Sequence, residues 1–167
     1  MTIDALNQLA KDSLREALGR CCGARAWIER LLALFPVENE EVLLHEAEKT
    51  WYDCSEVDWR EAFEHHPRIG DLDSLKKKFA TTAQWAAGEQ SGVNIASDEV
   101  LTELAAGNEE YEKRFGYIFI VCATGKSAGE MLELLKGRLD HTPGEEIKIA
   151  MGEQNKITRL RLEKLLA

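Results

Sequence analysis

The chain is 167 residues long, and at roughly 100–200 residues per domain this argues for one folded unit rather than a string of modules. Hydrophobic residues make up 44% and charged residues 31%, enough apolar side chain for a core, which excludes a disordered chain. With 30 acidic against 21 basic side chains the net charge is −9, and this disfavours nucleic acid and anionic membrane surfaces as partners.

Helical periodicity dominates from the start. Thr2 can cap a first helix with Ile3, Leu6, Leu9 and Leu14 on one side, fading near Gly19. A second helix over 24–34 is stopped by Phe35-Pro36, and Asn39 followed by glutamates opens a third, to about Trp51. Ser55-Glu56-Val57-Asp58 has the form of a capping box with the shorter acid. The helix it starts must end before Pro67, because the residue preceding a proline is pushed out of the α region.

Further helices are predicted over 75–79, 82–92, from a Ser97 cap to Phe115, from Lys126 or Ser127 to Leu139, and over 145–166. Between them, Tyr117-Ile118-Phe119-Ile120-Val121-Cys122-Ala123 alone has strand-like composition. A single strand has no partner for its ladder, so this run is expected to be a buried extended or helical segment crossing the core. It is also the longest apolar run, far short of the ~20 residues a membrane helix needs. The expected fold is all-α, one domain over 1–167. The architecture expected of it is a bundle of about seven to nine helices.

The first twelve residues have neither a basic stretch nor an apolar stretch of a secretory signal, and the last residues lack a S-K-L address. Both point to a cytoplasmic protein. Cys21 and Cys22 are adjacent, Cys54 and Cys122 isolated, and no pair has zinc or redox spacing, so they read as small buried hydrophobes. His45, His65, His66 and His141 form no metal-binding pattern, and no phosphate loop, dinucleotide fingerprint or nucleophile elbow is present. Neither a metal nor a cofactor is expected.

The informative residues are polar ones at apolar positions. At about 100° per residue, Ile147, Ala150, Met151, Ile157, Leu162 and Leu165 share one broad face of the last helix. Arg161 projects into the middle of that face, while Arg159 points away. An inward guanidinium must meet a carboxylate, a carbonyl or an anionic ligand; a core salt bridge or a snorkelling side chain is the plainer alternative. Glu89 lies one turn from both Trp85 and Val93, within an apolar stripe, and Asn108 shares a face with Leu101, Leu104 and Phe115. His66 is held before Pro67 in a stiff turn, and histidine is the side chain whose ordinary pKa suits acid/base work near neutrality. A loop histidine of no function and a direct Glu89–Arg161 pair are the bland readings of these groups.

Four motifs carry a resemblance. Phe63-Glu64-His65-His66-Pro67-Arg68-Ile69-Gly70-Asp71 is similar to the HPxIG signature of the 2-oxo-4-hydroxy-4-carboxy-5-ureidoimidazoline (OHCU) decarboxylases of urate degradation. Glu89-Gln90 followed by Gly92 resembles that family's EQ motif. The run from Asn108 through Tyr111 and Phe115-Gly116 to Phe119 resembles its N-x2-Y-x3-FG-x-x-F segment, and Glu153-Gln154-Asn155-Lys156-Ile157-Thr158-Arg159-Leu160-Arg161-Leu162 its closing KI-x-x-[LF]RL. The four occur in the family's order and span nearly the whole chain.

The resemblance implies a cofactor-free helical bundle that converts OHCU to (S)-allantoin and carbon dioxide, a small-molecule enzyme, often a homodimer. It puts the catalytic histidine on His66, the catalytic carboxylate on Glu89 and the substrate-binding arginine on Arg161. Substrate contacts are further implied for Pro67, Gln90 and the backbone of Phe119, Ile120, Val121, Cys122 and Ala123. At Ala86 the family often has a serine, so the contact of that hydroxyl is absent here or supplied by Gln90, backbone or water. The competing expectation from another class is a non-catalytic helical binding module whose inward polar groups only pair with one another.

Overall fold

The computed structural model of the chain describes residues 1–66, 75 and 98–167. Among these the secondary structure is entirely helical, so the fold is all-α: α1 (Ile3–Asn7), α2 (Lys11–Cys21), α3 (Arg25–Leu32), α4 (Glu40–Tyr52), α5 (Glu56–Glu64), α6 (Asp98–Phe115), α7 (Ala128–Leu139) and α8 (Pro143–Leu166). No described helix is long and apolar enough to cross a membrane. The helices expected over 75–79 and 82–92, and the Ser97 cap, lie outside the described residues, save that Leu75 is helical and buried.

Local capping chemistry sets most helix starts. The Thr2 hydroxyl accepts from the Ala5 amide at 3.1 Å, Asn39 Oδ1 from Val42 at 2.9 Å, and Ser127 Oγ from Glu130 at 3.2 Å, each satisfying a donor the first turn leaves free. Ser55 and Asp58 form the full reciprocal box, with the Ser55 amide donating to Asp58 Oδ2 at 3.0 Å. The last helix begins at Pro143, two residues before its expected start. Proline suits a first helical position, and Thr142 with Glu145 supplies a second reciprocal cap.

The first predicted helix is two. α1 ends at Asn7, whose side chain donates to the Val37 carbonyl at 2.8 Å and accepts from the Val37 amide at 2.9 Å. That pair of bonds ties the helix end to a segment 30 residues away, and the chain restarts at Ala10 with extended backbone.

The described residues divide into two compact units, 1–66 with 149–167, and 67–148. In the first, indole N–H groups tie helices to backbone carbonyls: Trp27 to Ala47 at 2.9 Å, Trp51 to Met151 at 2.8 Å and Trp59 to Trp51 at 3.0 Å. Trp27, Trp51, Phe63, Leu18, Leu31 and Leu43 form its buried centre. These rings contribute apolar area and a satisfied polar handle together.

In the second unit α6 packs along α7. α6 closes at Gly116, whose φ of 84° is a left-handed conformation that glycine adopts without steric cost, the usual helix stop. The strand-like run 117–123 then follows, neither helical nor in a ladder, with Tyr117, Ile120 and Cys122 buried. Two of its carbonyls are met by side chains. An Arg138 Nη1 donates to the Ile120 carbonyl and Lys126 Nζ donates to the Cys122 carbonyl at 2.7 Å.

Arg138 is the hub of this unit. It is 6% exposed, and its Nε donates to Glu146 Oε2 at 2.8 Å, a carboxylate with no exposed surface. Tyr111 donates its hydroxyl to the same oxygen, His141 Nδ1 lies 3.1 Å from the other, and the guanidinium sits 4.6 Å above the Phe119 ring. Burial pushes the Tyr111 phenol well above its ordinary pKa, so it stays a donor.

Candidate active site

His66 stands two residues beyond α5. Its amide donates to the Phe63 carbonyl at 3.3 Å, so the helix end holds the backbone from which the ring projects. The ring is half-buried, and its Nε2 is hydrogen-bonded to Gln154 Oε1 of α8. Gln154 is 1% exposed, and its amide nitrogen donates to Thr158 Oγ1 at 3.0 Å, one turn on. Burial, more than any other effect, lowers the His66 pKa below the ordinary 6.5; the Gln154 bond works against this, and the positive Arg161 and the neighbouring His65 add to it. Burial therefore favours the neutral imidazole.

Arg161 is half-buried and Arg159 exposed, the orientation that face-counting gave. The centre of the buried stripe differs from that count. It runs through Ala150, Met151, Gln154, Thr158 and Leu162, with Ile157, Arg161 and Leu165 at its edge. The reason is solvation: a neutral amide and hydroxyl that bond each other can occupy a core centre, and a guanidinium costs far more to dehydrate. Arg161 Nη1 donates to the Cys21 carbonyl at 3.4 Å, and among the described residues no carboxylate pairs with it.

The turn between α2 and α3 supports both groups. Cys21 holds Arg161, and Gly23 backs His65: a Cβ at Gly23 would lie 2.4 Å from His65 Cγ. A larger side chain there would require His65 to shift. Burial pushes the Cys21 thiol up to about 11, Cys54 to about 11 and Cys22 to about 12, so none is a thiolate nucleophile. All four cysteines are free and buried. Among the described residues no group of three His, Cys, Asp or Glu side chains could hold a metal ion.

Of the remaining residues singled out by the sequence, Pro67, Ala86, Glu89 and Gln90 lie outside the described residues. Phe119, Ile120, Val121, Cys122 and Ala123 belong to the second unit, where Arg138 holds the Ile120 carbonyl and the Phe119 ring. Sequence reasoning missed Gln154 as a partner of His66. The signal was present: Gln154 lies four residues after Ala150 and four before Thr158, an inward position on the same helix.

A family model matches nearly the whole chain. The model described as OHCU decarboxylase matches residues 7–163. The chain belongs to the OHCU decarboxylase family. A 2-oxo-4-hydroxy-4-carboxy-5-ureidoimidazoline decarboxylase of Halalkalicoccus jeotgali is 26% identical, over 99% of this chain and 92% of that protein. The uric acid degradation bifunctional protein TTL of Arabidopsis thaliana is 36% identical over 88% of this chain, which spans only 45% of that longer protein. Among solved structures, a crystal structure of OHCU decarboxylase in the presence of (S)-allantoin matches with a TM-score of 0.69 at 35% identity, covering 89% of this chain and 95% of that one. The resemblance read from the four motifs is thus a family relationship across the chain, both compact units included.

Proposed function

We propose that this protein is a carboxy-lyase that converts OHCU to (S)-allantoin and carbon dioxide, with 1–167 acting as one catalytic domain and no cofactor taking part. The observation that carries the reading is a half-buried imidazole, its pKa lowered by burial, beside a guanidinium that no described carboxylate neutralises, in a chain of this family. An anionic substrate would supply the missing negative charge.

The substrate brings its own electron sink. When the bond from C4 to the carboxylate breaks, its electron pair forms a C4–C5 double bond, and the ring C=N pair moves onto nitrogen, which takes a proton from solvent. The resulting enol then loses its hydroxyl proton to become the C4 carbonyl, while C5 gains a proton. One proton is consumed overall, and carbon dioxide leaves. His66, neutral, accepts the hydroxyl proton and returns a proton to one face of C5, which yields a single enantiomer. Arg161 binds a substrate oxygen and offsets the carboxylate charge while leaving that carboxylate turned out of the ring plane. Glu89 orients the imidazole or holds the ureido N–H groups. Pro67, Gln90 and the backbone of 119–123 complete the contacts, and Ala86 contributes no hydroxyl. The buried free thiols suit the reducing cytoplasm, and the family resemblance extends to a homodimer.

Freshly generated OHCU, followed by circular dichroism, tests the reading. His66→Ala is expected to lose about 10²–10⁴-fold in rate, the usual contribution of an acid/base group. Near-normal formation of (S)-allantoin by that variant would remove His66 from the chemistry.

A further inference from the structure

We propose that Gln154 is a positioning residue that holds His66 as its Nε2–H tautomer, so that Nδ1 is the ring atom that accepts and returns the substrate proton. The proposal rests on His66 being the proton carrier. It adds which nitrogen works and what selects it.

The argument is one of donors and acceptors. A neutral imidazole has one N–H and one lone pair, and the partner of one nitrogen determines the state of the other. Here the partner of Nε2 is an amide oxygen, which can only accept. On its other side the amide nitrogen donates to Thr158 Oγ1 at 3.0 Å. That hydroxyl in turn meets the Cys22 thiol, which burial keeps protonated. A side chain 1% exposed has no solvent to exchange partners with, and with the Thr158 hydroxyl proton turned to the Cys22 sulfur, Oγ1 is left to accept from the amide nitrogen, which leaves the amide oxygen facing Nε2. Nε2 therefore carries the proton and Nδ1 the lone pair.

The assignment has two chemical consequences. When Nδ1 takes the substrate hydroxyl proton, the ring becomes an imidazolium whose Nε2–H remains bonded to Gln154, so the amide serves both states of the cycle without moving. A carboxylate at Nδ1 would need a second ring proton, so the neutral resting ring leaves Glu89 the ureido N–H groups rather than the imidazole. The charged and titratable groups acting on the ring from the described elements are Arg161 and His65, and neither is hydrogen-bonded to it.

The tautomer is read directly by long-range nitrogen–proton NMR on protein labelled with 15N-histidine at pH 8, the His66 signals being those absent from His66→Ala. The expected wild-type pattern has a protonated Nε2 and an unprotonated Nδ1. Gln154→Met, close in size and without the amide, is expected to lose that exclusive pattern and to lower kcat about tenfold with KM little changed, the size of one hydrogen bond. Gln154→Glu keeps an acceptor and adds charge, so it should retain the Nε2–H form while its rate profile shifts to higher pH. A wild-type Nδ1–H tautomer, or an unchanged tautomer and unchanged kcat in Gln154→Met, would overturn the proposal. Because the spectrum is taken on resting enzyme, absence of OHCU turnover by the wild type would count against the proposed function and leave the tautomer assignment to be judged on its own signals.

Discussion

Two arginines of this chain have opposite surroundings. Arg138 is almost wholly buried, and the Glu146 carboxylate, the Ile120 carbonyl, the Tyr111 hydroxyl and two aromatic faces take up its donors and its charge. Arg161 is half-buried, offers one long bond to the Cys21 carbonyl, and meets no carboxylate among the described residues. A guanidinium removed from water must have its donors met. Where the protein meets them all, the arginine is architectural. Where most of them are left open among the described residues, as in Arg161, the arginine is free for the anion-binding role proposed above. The difference lies in the partners, since the residue type is the same.

The largest effect that would test this contrast is on stability. Arg138→Met leaves the Glu146 carboxylate buried and unpaired, and should cost about 3–5 kcal/mol in urea unfolding. A loss under about 1 kcal/mol would mean that the pair contributes little, as exposed pairs do. Arg161→Lys should reverse the pattern: unfolding within about 0.5 kcal/mol of wild type, as for a substitution outside the core network. Its rate on OHCU should fall on the order of tenfold or more, because a point charge cannot reproduce a planar fork. Unaltered kinetics in this variant would make Arg161 as structural as Arg138.

A smaller effect is expected from the turn behind the site. Gly23→Ala puts a Cβ 2.4 Å from His65 Cγ, so the His65 and His66 backbone must shift. About 1–3 kcal/mol of stability should be lost, as in other overpacked positions, with a lower kcat in the molecules that remain folded. Wild-type values for both would mean that His65 moves aside without disturbing His66. The smallest effect is on pH dependence. Because burial holds His66 below 6.5 and the rate requires its neutral form, the acid limb of kcat/KM should fall below pH 6.5. Arg161 adds to that lowering, so Arg161→Gln should raise the His66 pKa and move the limb to higher pH. Movement in the other direction would separate the two groups.

How far the sequence could be read depended on the range of the interaction. Thr2, Asn39, Ser127 and the Ser55–Asp58 box were legible because a cap and its target lie within one turn. The break after Asn7 was not, since no proline or glycine marks it and its cause is Val37, far along the chain. Arg138 sits in the last turn of α7, where a basic residue is most simply read as complementing the helix dipole in water. Its inward position was nonetheless encoded: it falls three residues beyond Leu135 and seven beyond Met131, both buried. Arg161 was found by that same counting, although the count set it in the middle of a stripe whose centre belongs to Gln154 and Thr158.

By itself, then, the order of residues along this chain determined most of its described helices and their starting points, the inward sense of Arg161 against Arg159, and the family to which the motifs point. Only the tertiary structure decided that His66 meets Gln154, that among the described residues Arg138 rather than Arg161 pairs with a carboxylate, and that Cys21 meets Arg161 and Gly23 meets His65. Periodicity states which side of a helix faces inward. What a buried polar group finds there depends on residues brought together from distant parts of the chain, and it is the cost of leaving such a group unpaired that selects among them.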